Sequence, residues 1–371
     1  MNREPATPDL VAVRDDFRAL EGYHSAQVDV DVRLNTNESP FAPPPAWLDD
    51  YRAQLADLAW NRYPDRAATE LRAAIAGWHG VDVGQVFAAN GSNEVLQTLL
   101  LAYAGPGRTV VVFEPTYQMH AQIARITGAT VVAGQRNEDF TLDIDEVRQV
   151  VTEAQPAVTF VCSPNNPTGM VESPEVLDAV VETAPGLVVV DEAYAQFSSW
   201  SALERVAEDR PLVVTRTFSK TWSMAAARLG YLVGPSWVVA QLEKVVLPYH
   251  LDAAKQLAGR LALRYVDDME RRVSQLVEER GRVTVGLSDL GVEVFPSGAN
   301  FVLFRLADHD AVAVWKSLVD QGVLVRDCSG WGRLDGCLRV TIGLPAENDR
   351  FLAALAIALD VAPARSTGAT R

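Results

Sequence analysis

A chain of 371 residues, 48% apolar and 22% charged, has ordinary globular usage and the length for a substantial core, which excludes a disordered or fibrous polypeptide. At roughly 150 residues per domain, that length points to two domains. Its 33 basic and 48 acidic residues leave a net charge of −15, a surface that repels phosphate backbones and anionic lipid, so neither nucleic acid nor membrane is an expected partner.

The first ~15 residues are polar and expected to be loose. Strand-like runs then recur at 86–89, 109–113, 130–133, 157–162, 187–190, 212–215 and 231–233. Most of the intervals carry a helical pattern, as at 93–104 and 173–184. In the latter, Ser173 is the expected N-cap and Pro174 takes the first helical position. Strands alternating with helices predict an α/β fold with a mostly parallel seven-stranded sheet covered on both faces. After Pro248 the rhythm changes. One long helical stretch at 253–279 precedes strand-like 292–295, 301–306, 323–325 and 338–341, mixed with helices at 311–321 and 346–359. That pattern predicts a smaller α+β domain. The expected division is a large domain at 41–250 and a small one made of 1–40 and 251–371. The tail after Ala362 is rich in small polar residues and expected to be loose.

The longest uninterrupted apolar run, 351–359, is too short to span a bilayer, and the N-terminal MNREPATPDL has no apolar signal core, so a cytoplasmic location is expected. Cys162, Cys328 and Cys337 are odd in number and irregular in spacing, which is no disulfide framework. His24, His79, His120, His250 and His309 show no metal-ligand spacing, so no metal is expected.

In open parallel sheets, ligands bind beyond the carboxyl ends of the strands. After 86–89 comes Asn90-Gly91-Ser92-Asn93-Glu94, a turn into a helix whose free N–H groups suit a phosphate or merely cap the helix. After 157–162 comes Ser163-Pro164-Asn165-Asn166-Pro167-Thr168-Gly169, rigid enough to fix a side-chain amide. Asp191 follows a strand buried on both sides, where a carboxylate needs a partner. A cationic ligand atom or a structural ion pair would serve, and Tyr194 could face the same place. After 212–215 come Thr217, Ser219, Lys220 and then Arg228. The hydroxyls and Arg228 suit phosphate oxygens, and a lysine at a strand end suits Schiff-base chemistry. Together these loops offer a phosphate cradle, a buried carboxylate, a phenol, an amide and a lysine. Pyridoxal 5′-phosphate needs that whole set.

At this point the chain resembles the fold-type I, class I/II aminotransferases, and within them the histidinol-phosphate aminotransferases. The matching runs are Asn35-Thr36-Asn37-Glu38-Ser39-Pro40, Arg62-Tyr63-Pro64-Asp65, Gly91-Ser92-Asn93-Glu94 and Glu114-Pro115-Thr116-Tyr117. They continue with Asn165-Asn166-Pro167-Thr168-Gly169, Asp191-Glu192-Ala193-Tyr194, Thr217-Phe218-Ser219-Lys220, Arg228-Leu229-Gly230-Tyr231, Asn300-Phe301 and Leu338-Arg339-Val340-Thr341. They span about residues 20–360. The resemblance implies that Lys220 condenses with the cofactor aldehyde and later carries a proton. It implies that Asp191 partners the ring nitrogen, that Asn166 and Tyr194 hold the ring's phenolate oxygen, and that Tyr117 stacks on the ring. Gly91, Ser92, Asn93, Thr217, Ser219 and Arg228 would surround the cofactor phosphate. Tyr63 would reach that phosphate from the neighbouring subunit of a homodimer. Arg339, Arg326, Asn37 and Tyr23 would face the substrate. The implied reaction passes an amino group from glutamate to imidazole acetol phosphate, in histidine biosynthesis.

Three places depart from the family text. The lysine is followed by Thr221-Trp222-Ser223-Met224-Ala225-Ala226-Ala227, Asp252 and Lys255 stand where small hydroxyl residues are usual, and Ser39 replaces an asparagine. The first two are expected near the substrate. An aminotransferase for an aromatic or specialised substrate, a lyase resembling threonine-phosphate decarboxylases, and a non-catalytic regulator remain open alternatives.

Overall fold

The computed structural model describes residues 11–18, 20, 22 and 26–361. In chain order the elements are β1 (Val32–Leu34), α1 (Pro45–Ala56), α2 (Thr69–His79), β2 (Val86–Ala89), α3 (Ser92–Tyr103), β3 (Thr109–Glu114), α4 (Gln118–Ile126), β4 (Thr130–Gln135), α5 (Ile144–Ala154), β5 (Val158–Cys162), α6 (Pro174–Thr183) and β6 (Leu187–Asp191). Then follow β7 (Leu212–Thr217), β8 (Gly230–Val233), α7 (Ser236–Val245), α8 (Ala253–Ala262), α9 (Val266–Asp289), β9 (Glu293–Val294), β10 (Phe301–Arg305), α10 (Ala311–Asp320), β11 (Val323–Asp327), β12 (Cys337–Thr341) and α11 (Pro345–Val361).

The seven strands of the first sheet run in the order β2-β8-β7-β6-β5-β3-β4. Only β8 is antiparallel to its neighbours. The strands β2, β3, β5, β6 and β7 therefore all end on one edge. Strands β5 and β6 are buried along their whole length, as their Val-rich runs require. One face of the sheet packs its Val, Leu and Phe side chains against α3, α4 and α7, and the other against α5 and α6.

Local chemistry starts the helices where the sequence places them. The Ser173 hydroxyl accepts from Val176 N–H, and Pro174 opens α6. The Asp143 carboxylate accepts from the N–H groups of Asp145 and Glu146 at the head of α5. Gly80 closes α2 in the left-handed conformation at φ 67°.

The second sheet has the order β1-β11-β12-β10-β9. Strand β1 lies parallel to β11, so residues near the N-terminus join a sheet otherwise built from the C-terminal third. The largest apolar core is continuous from this sheet through α8 and α9 to α2, the edge strand β2 and its neighbour β8.

The single helical stretch expected at 253–279 is two helices. The chain corners at Leu263-Arg264-Tyr265, where Arg264 and Tyr265 N–H groups turn back onto Leu261 and Ala262, and the second helix runs on to Asp289. The corner carries neither Gly nor Pro, so local composition gives no stop signal there.

Candidate active site

A cavity of about 370 Å³ opens at the carboxyl edge of the large sheet, beneath the strap Thr36-Asn37-Glu38 that follows β1. Five strand ends feed it: Ser92 and Asn93 after β2, Tyr117 after β3, Cys162 and Asn166 from β5, Asp191 from β6, and Thr217, Ser219 and Lys220 from β7. Arg326 and Arg339 enter from the second sheet.

Lys220 Nζ donates to the Thr36 carbonyl at 2.8 Å and lies 5.9 Å from the centre of the Tyr194 ring. Burial, and then the positive charges of Arg339 and Arg228, bring its pKa down to about 7 against a smaller upward pull from Glu38. The amine is therefore substantially neutral at neutral pH, as a nucleophile requires.

Asp191 is buried. Its Oδ2 lies 2.9 Å from His120 Nε2, and its Oδ1 accepts from Ala193 N–H at 3.1 Å. The His120 ring is fully buried, stacks on Phe160 at 4.5 Å and meets Tyr117 edge-on at 5.3 Å. Among the described residues its Nδ1 has no hydrogen-bond partner. The Tyr194 hydroxyl accepts from Asn37 Nδ2 at 2.9 Å. Burial pushes that phenol up to about 12, against the opposing pulls of Arg339 and Asn37, so it stays protonated at neutral pH. Cys162 also lines the cavity, and burial raises its thiol far above the usual range, which leaves it inert.

At the other end, Arg228 donates to Ser219 Oγ at 3.3 Å, and Ser219 N–H donates to Thr217 Oγ1 at 3.0 Å. These groups face the N-terminus of α3, whose first N–H groups have no helical acceptor. Two glycines make that approach possible. A Cβ on Gly91, at φ 82°, would meet the Arg228 guanidinium at 3.0 Å, and one on Gly230 would lie 2.3 Å from Ser92 N. Hydroxyls, a guanidinium and free N–H groups converge there on a space that suits a phosphate.

Arg339 is buried. It donates to the Asn35 carbonyl at 2.9 Å, contacts Asn166 Oδ1 and lies over the Phe301 ring. Arg326 stands directly opposite it in the β11–β12 register and packs over Trp331 at 5.2 Å.

Most of the residues singled out in the sequence line this one cavity: Ser92, Asn93, Tyr117, Asn166, Asp191, Tyr194, Thr217, Ser219, Lys220, Arg228, Asn37, Arg326 and Arg339. Gly91 sits just behind Arg228. Tyr63 is elsewhere: 80% exposed, stacked on Tyr249 at 4.5 Å and outside the cavity of its own chain. Tyr23 lies outside the described residues. Two expectations need correction. Of the segment after the lysine, Ala225 and Ala226 line the cavity, but Trp222 does not approach a substrate; it is 2% exposed, packed against Trp78 and Phe218 in the core. Asp252 and Lys255 are also outside the cavity. Asp252 caps α8, and Lys255 pairs with it and donates to Asn90 Oδ1 at 2.7 Å.

The sequence reading missed His120, which supplies the partner that Asp191 demands. It also missed Glu38, Gln118 and Trp331 in the cavity wall. His120 follows Tyr117 by three residues, so one turn of helix already placed the two together. A further buried pair was missed. Arg216 donates twice to Glu192 Oε2, at 3.0 and 2.7 Å, on the strand residues adjoining Thr217 and Asp191. Among the described residues, no group of His, Cys, Asp and Glu could hold a metal ion, and no helix is long and apolar enough to cross a membrane.

Comparison with known proteins gives a consistent picture. The family model "Aminotransferase class I and II" matches residues 29–355. Among curated relatives, histidinol-phosphate aminotransferase of Frankia casuarinae is 47% identical, over 95% of this chain and 91% of that protein. The enzyme of the same name from Corynebacterium diphtheriae is 44% identical, over 92% and 94%. Among solved structures, histidinol-phosphate aminotransferase from Sinorhizobium meliloti in complex with pyridoxal-5′-phosphate superposes with a TM-score of 0.86 at 22% identity, covering 94% of this chain and 97% of that one. Aspartate aminotransferase from Thermus thermophilus with maleate gives 0.77 at 26% identity, covering 89% and 92%.

Proposed function

The chain belongs to the class I and II aminotransferases, and on that premise we propose that it exchanges an amino group between glutamate and imidazole acetol phosphate, giving 2-oxoglutarate and histidinol phosphate. The cofactor is pyridoxal 5′-phosphate. When bound, it supplies a carbonyl that condenses with amines and a ring that takes up electrons from a deprotonated carbon. The curated relatives at 44–47% identity carry the histidinol-phosphate name.

The observation that carries the substrate assignment is the pair Arg326 and Arg339. Like charges directly opposite on neighbouring strands repel, so this cross-strand pair costs the sheet energy. Both side chains line the cavity that holds Lys220, where a phosphate dianion would turn that repulsion into two charge-assisted contacts.

The remaining groups have separable tasks. Asp191, fixed by His120 and by Ala193 N–H, would keep a proton on the ring nitrogen. Tyr194, whose hydroxyl accepts from Asn37 Nδ2, and Asn166 would orient the ring through its phenolate oxygen. Ser92, Thr217, Ser219 and Arg228 would hold the cofactor phosphate, and Tyr117 would pack against the ring. Lys220 Nζ, brought down to a pKa of about 7 mainly by burial, would take the proton from the substrate carbon and return it on the far side of the transfer. The Thr36 carbonyl of the strap accepts from that amine and holds it in place.

We also assign a homodimer with shared sites. Tyr63 and Tyr249 form an exposed stacked pair, and Trp60 and Leu247, close to them in sequence, are 72% and 75% exposed. That much exposed apolar surface favours a second copy, into whose cavity Tyr63 would reach. The three free, buried cysteines accord with a reducing cytoplasm.

The test is a substrate panel on purified holoenzyme: histidinol phosphate, phenylalanine and threonine phosphate, each with 2-oxoglutarate. Histidinol phosphate should give the highest kcat/KM by at least about tenfold, one step of ~1.4 kcal/mol. A preference for phenylalanine, or release of carbon dioxide from threonine phosphate, would overturn the assignment.

A further inference from the structure

Glu38 is the odd charge of the cavity. Among the described residues, the cationic side chains in its wall are Lys220, Arg228, Arg326 and Arg339, and the carboxylates are Asp191 and Glu38. Asp191 is buried and engaged by His120. Glu38 is exposed at the mouth, and among the described residues its carboxylate has neither a hydrogen bond nor an ion pair, although its field reaches Lys220. A glutamate among four cations that pairs with none of them differs from an ordinary solvated surface residue.

Its backbone, by contrast, is held on both sides. Asn37 adopts the left-handed conformation at φ 56°. It is pinned through its N–H to Thr341 Oγ1 at 2.9 Å, through its carbonyl from Asn300 Nδ2 at 3.1 Å, and through its side chain to Tyr194. On the other side, Ser39 Oγ accepts from Phe41 N–H at 3.3 Å and from Ser223 Oγ at 2.9 Å. A fixed base thus carries a free, charged head at the entrance to the site. Such placement keeps a charge available for a ligand at little cost in ordering.

We infer that Glu38 is a specificity-determining residue: it accepts the imidazole N–H of histidinol phosphate, and it disfavours the second carboxylate of glutamate. This rests on the proposed function. With the phosphate at Arg326 and Arg339 and the amine at Lys220, the ring is the one polar feature of that substrate still without a partner. Imidazole, which titrates near pH 6.5 in a histidine side chain, is part-cationic at neutral pH and always keeps an N–H to donate. Glutamate offers a carboxylate instead, which a nearby carboxylate repels. One side chain therefore attracts one amino donor and penalises the other, so discrimination comes from repulsion as well as contact.

The experiment compares wild-type holoenzyme with Glu38→Gln and Glu38→Asp. Three amino donors are used: histidinol phosphate, serinol phosphate (which lacks the ring) and glutamate, each in its half-reaction between pH 5.5 and 8. Glu38→Gln should cut the preference for the ring-bearing over the ring-less phosphate about tenfold, and raise kcat/KM for glutamate about two- to threefold. The wild-type preference should climb as pH falls through the imidazole range, and the Gln variant should be flat. Glu38→Asp, which keeps the charge on a shorter arm, should fall between. Calorimetric titration of histidinol phosphate into cofactor-loaded Lys220→Ala, with and without Glu38→Gln, should show the same loss in Kd without turnover. If wild type uses histidinol phosphate but the preference and its pH dependence survive in Glu38→Gln, this inference fails and the function stands. If wild type does not use histidinol phosphate at all, both fail.

Discussion

Replacing Arg326 by Gln should weaken the phosphorylated substrate strongly while leaving the fold untouched or slightly firmer. Arg326 and Arg339 face each other across two hydrogen-bonded strands. Two unit charges at a nominal separation of about 7 Å repel by about 0.6 kcal/mol at the dielectric of water and about 2.4 kcal/mol at an effective value of 20. Removing one charge recovers that energy but gives up the packing of Arg326 over Trp331, worth roughly 0.5–1 kcal/mol. The two nearly cancel, so the Tm of substrate-free holoenzyme should stay level or rise by about a degree or two. The substrate complex loses a charge-assisted contact to phosphate of about 1.5–3 kcal/mol, which is roughly 10- to 150-fold in kcat/KM for histidinol phosphate. Glutamate, gripped through Arg339, should change by about threefold or less. Half-reaction kinetics with each amino donor and thermal unfolding of the same preparations measure all three quantities. Equal losses for both donors, together with a clear drop in Tm, would show that Arg326 serves the fold and not the phosphate.

Two further outcomes follow from the geometry. Burial, and then the charge of Arg216, hold His79 near pKa 3, with its Nε2 on the Tyr231 hydroxyl at 2.8 Å. The unfolded chain binds a proton there below about pH 6.5 that the folded chain refuses until near pH 3, so stability falls as pH drops through that window, by about 2 kcal/mol between 6.5 and 4.5 from this site alone. His79→Gln should flatten that part of the curve in urea unfolding at pH 7.5 and 4.5, and an unchanged slope would remove the histidine from the account. For the shared site, Lys220→Ala and Tyr63→Ala should each be nearly inactive, yet a mixture allowed to exchange subunits should regain about a quarter of wild-type activity, because half the dimers are hybrids with one intact site. No recovery after verified exchange would place Tyr63 in its own subunit's business.

The strands were legible because their signals are local. Leu187-Val188-Val189-Val190 can only be buried on both sides, and a turn such as Asn165-Asn166-Pro167-Thr168-Gly169 ends a strand wherever it occurs. The site was legible for a related reason: parallel strands deliver their following loops to one edge, so Ser92, Asp191 and Lys220 had to converge once the alternation was recognised. What escaped notice depends on contacts that spacing does not encode. His120 reads as one polar residue in an amphipathic helix, and only the packing of α4 against the sheet brings it to Asp191. Glu192 and Arg216 are neighbours because β6 lies beside β7, which no short-range pattern states. Trp222 looked like an obstacle to substrate because it follows the lysine by two positions, yet the turn sends it inward to Trp78. The corner at Leu263-Arg264-Tyr265 interrupts an otherwise helical pattern without any residue that breaks helices.

The strap after β1 holds three reacting groups with three successive residues. Asn35 takes the Arg339 guanidinium, Thr36 takes the Lys220 amine, and Asn37 takes the Tyr194 phenol. It behaves like a single latch over several levers. Damage anywhere along its anchorage, such as the β1–β11 pairing, would slacken all three at once. An assay would then report a ruined catalyst in a molecule that still melts almost normally, and the fault would be misread as a lost active-site residue.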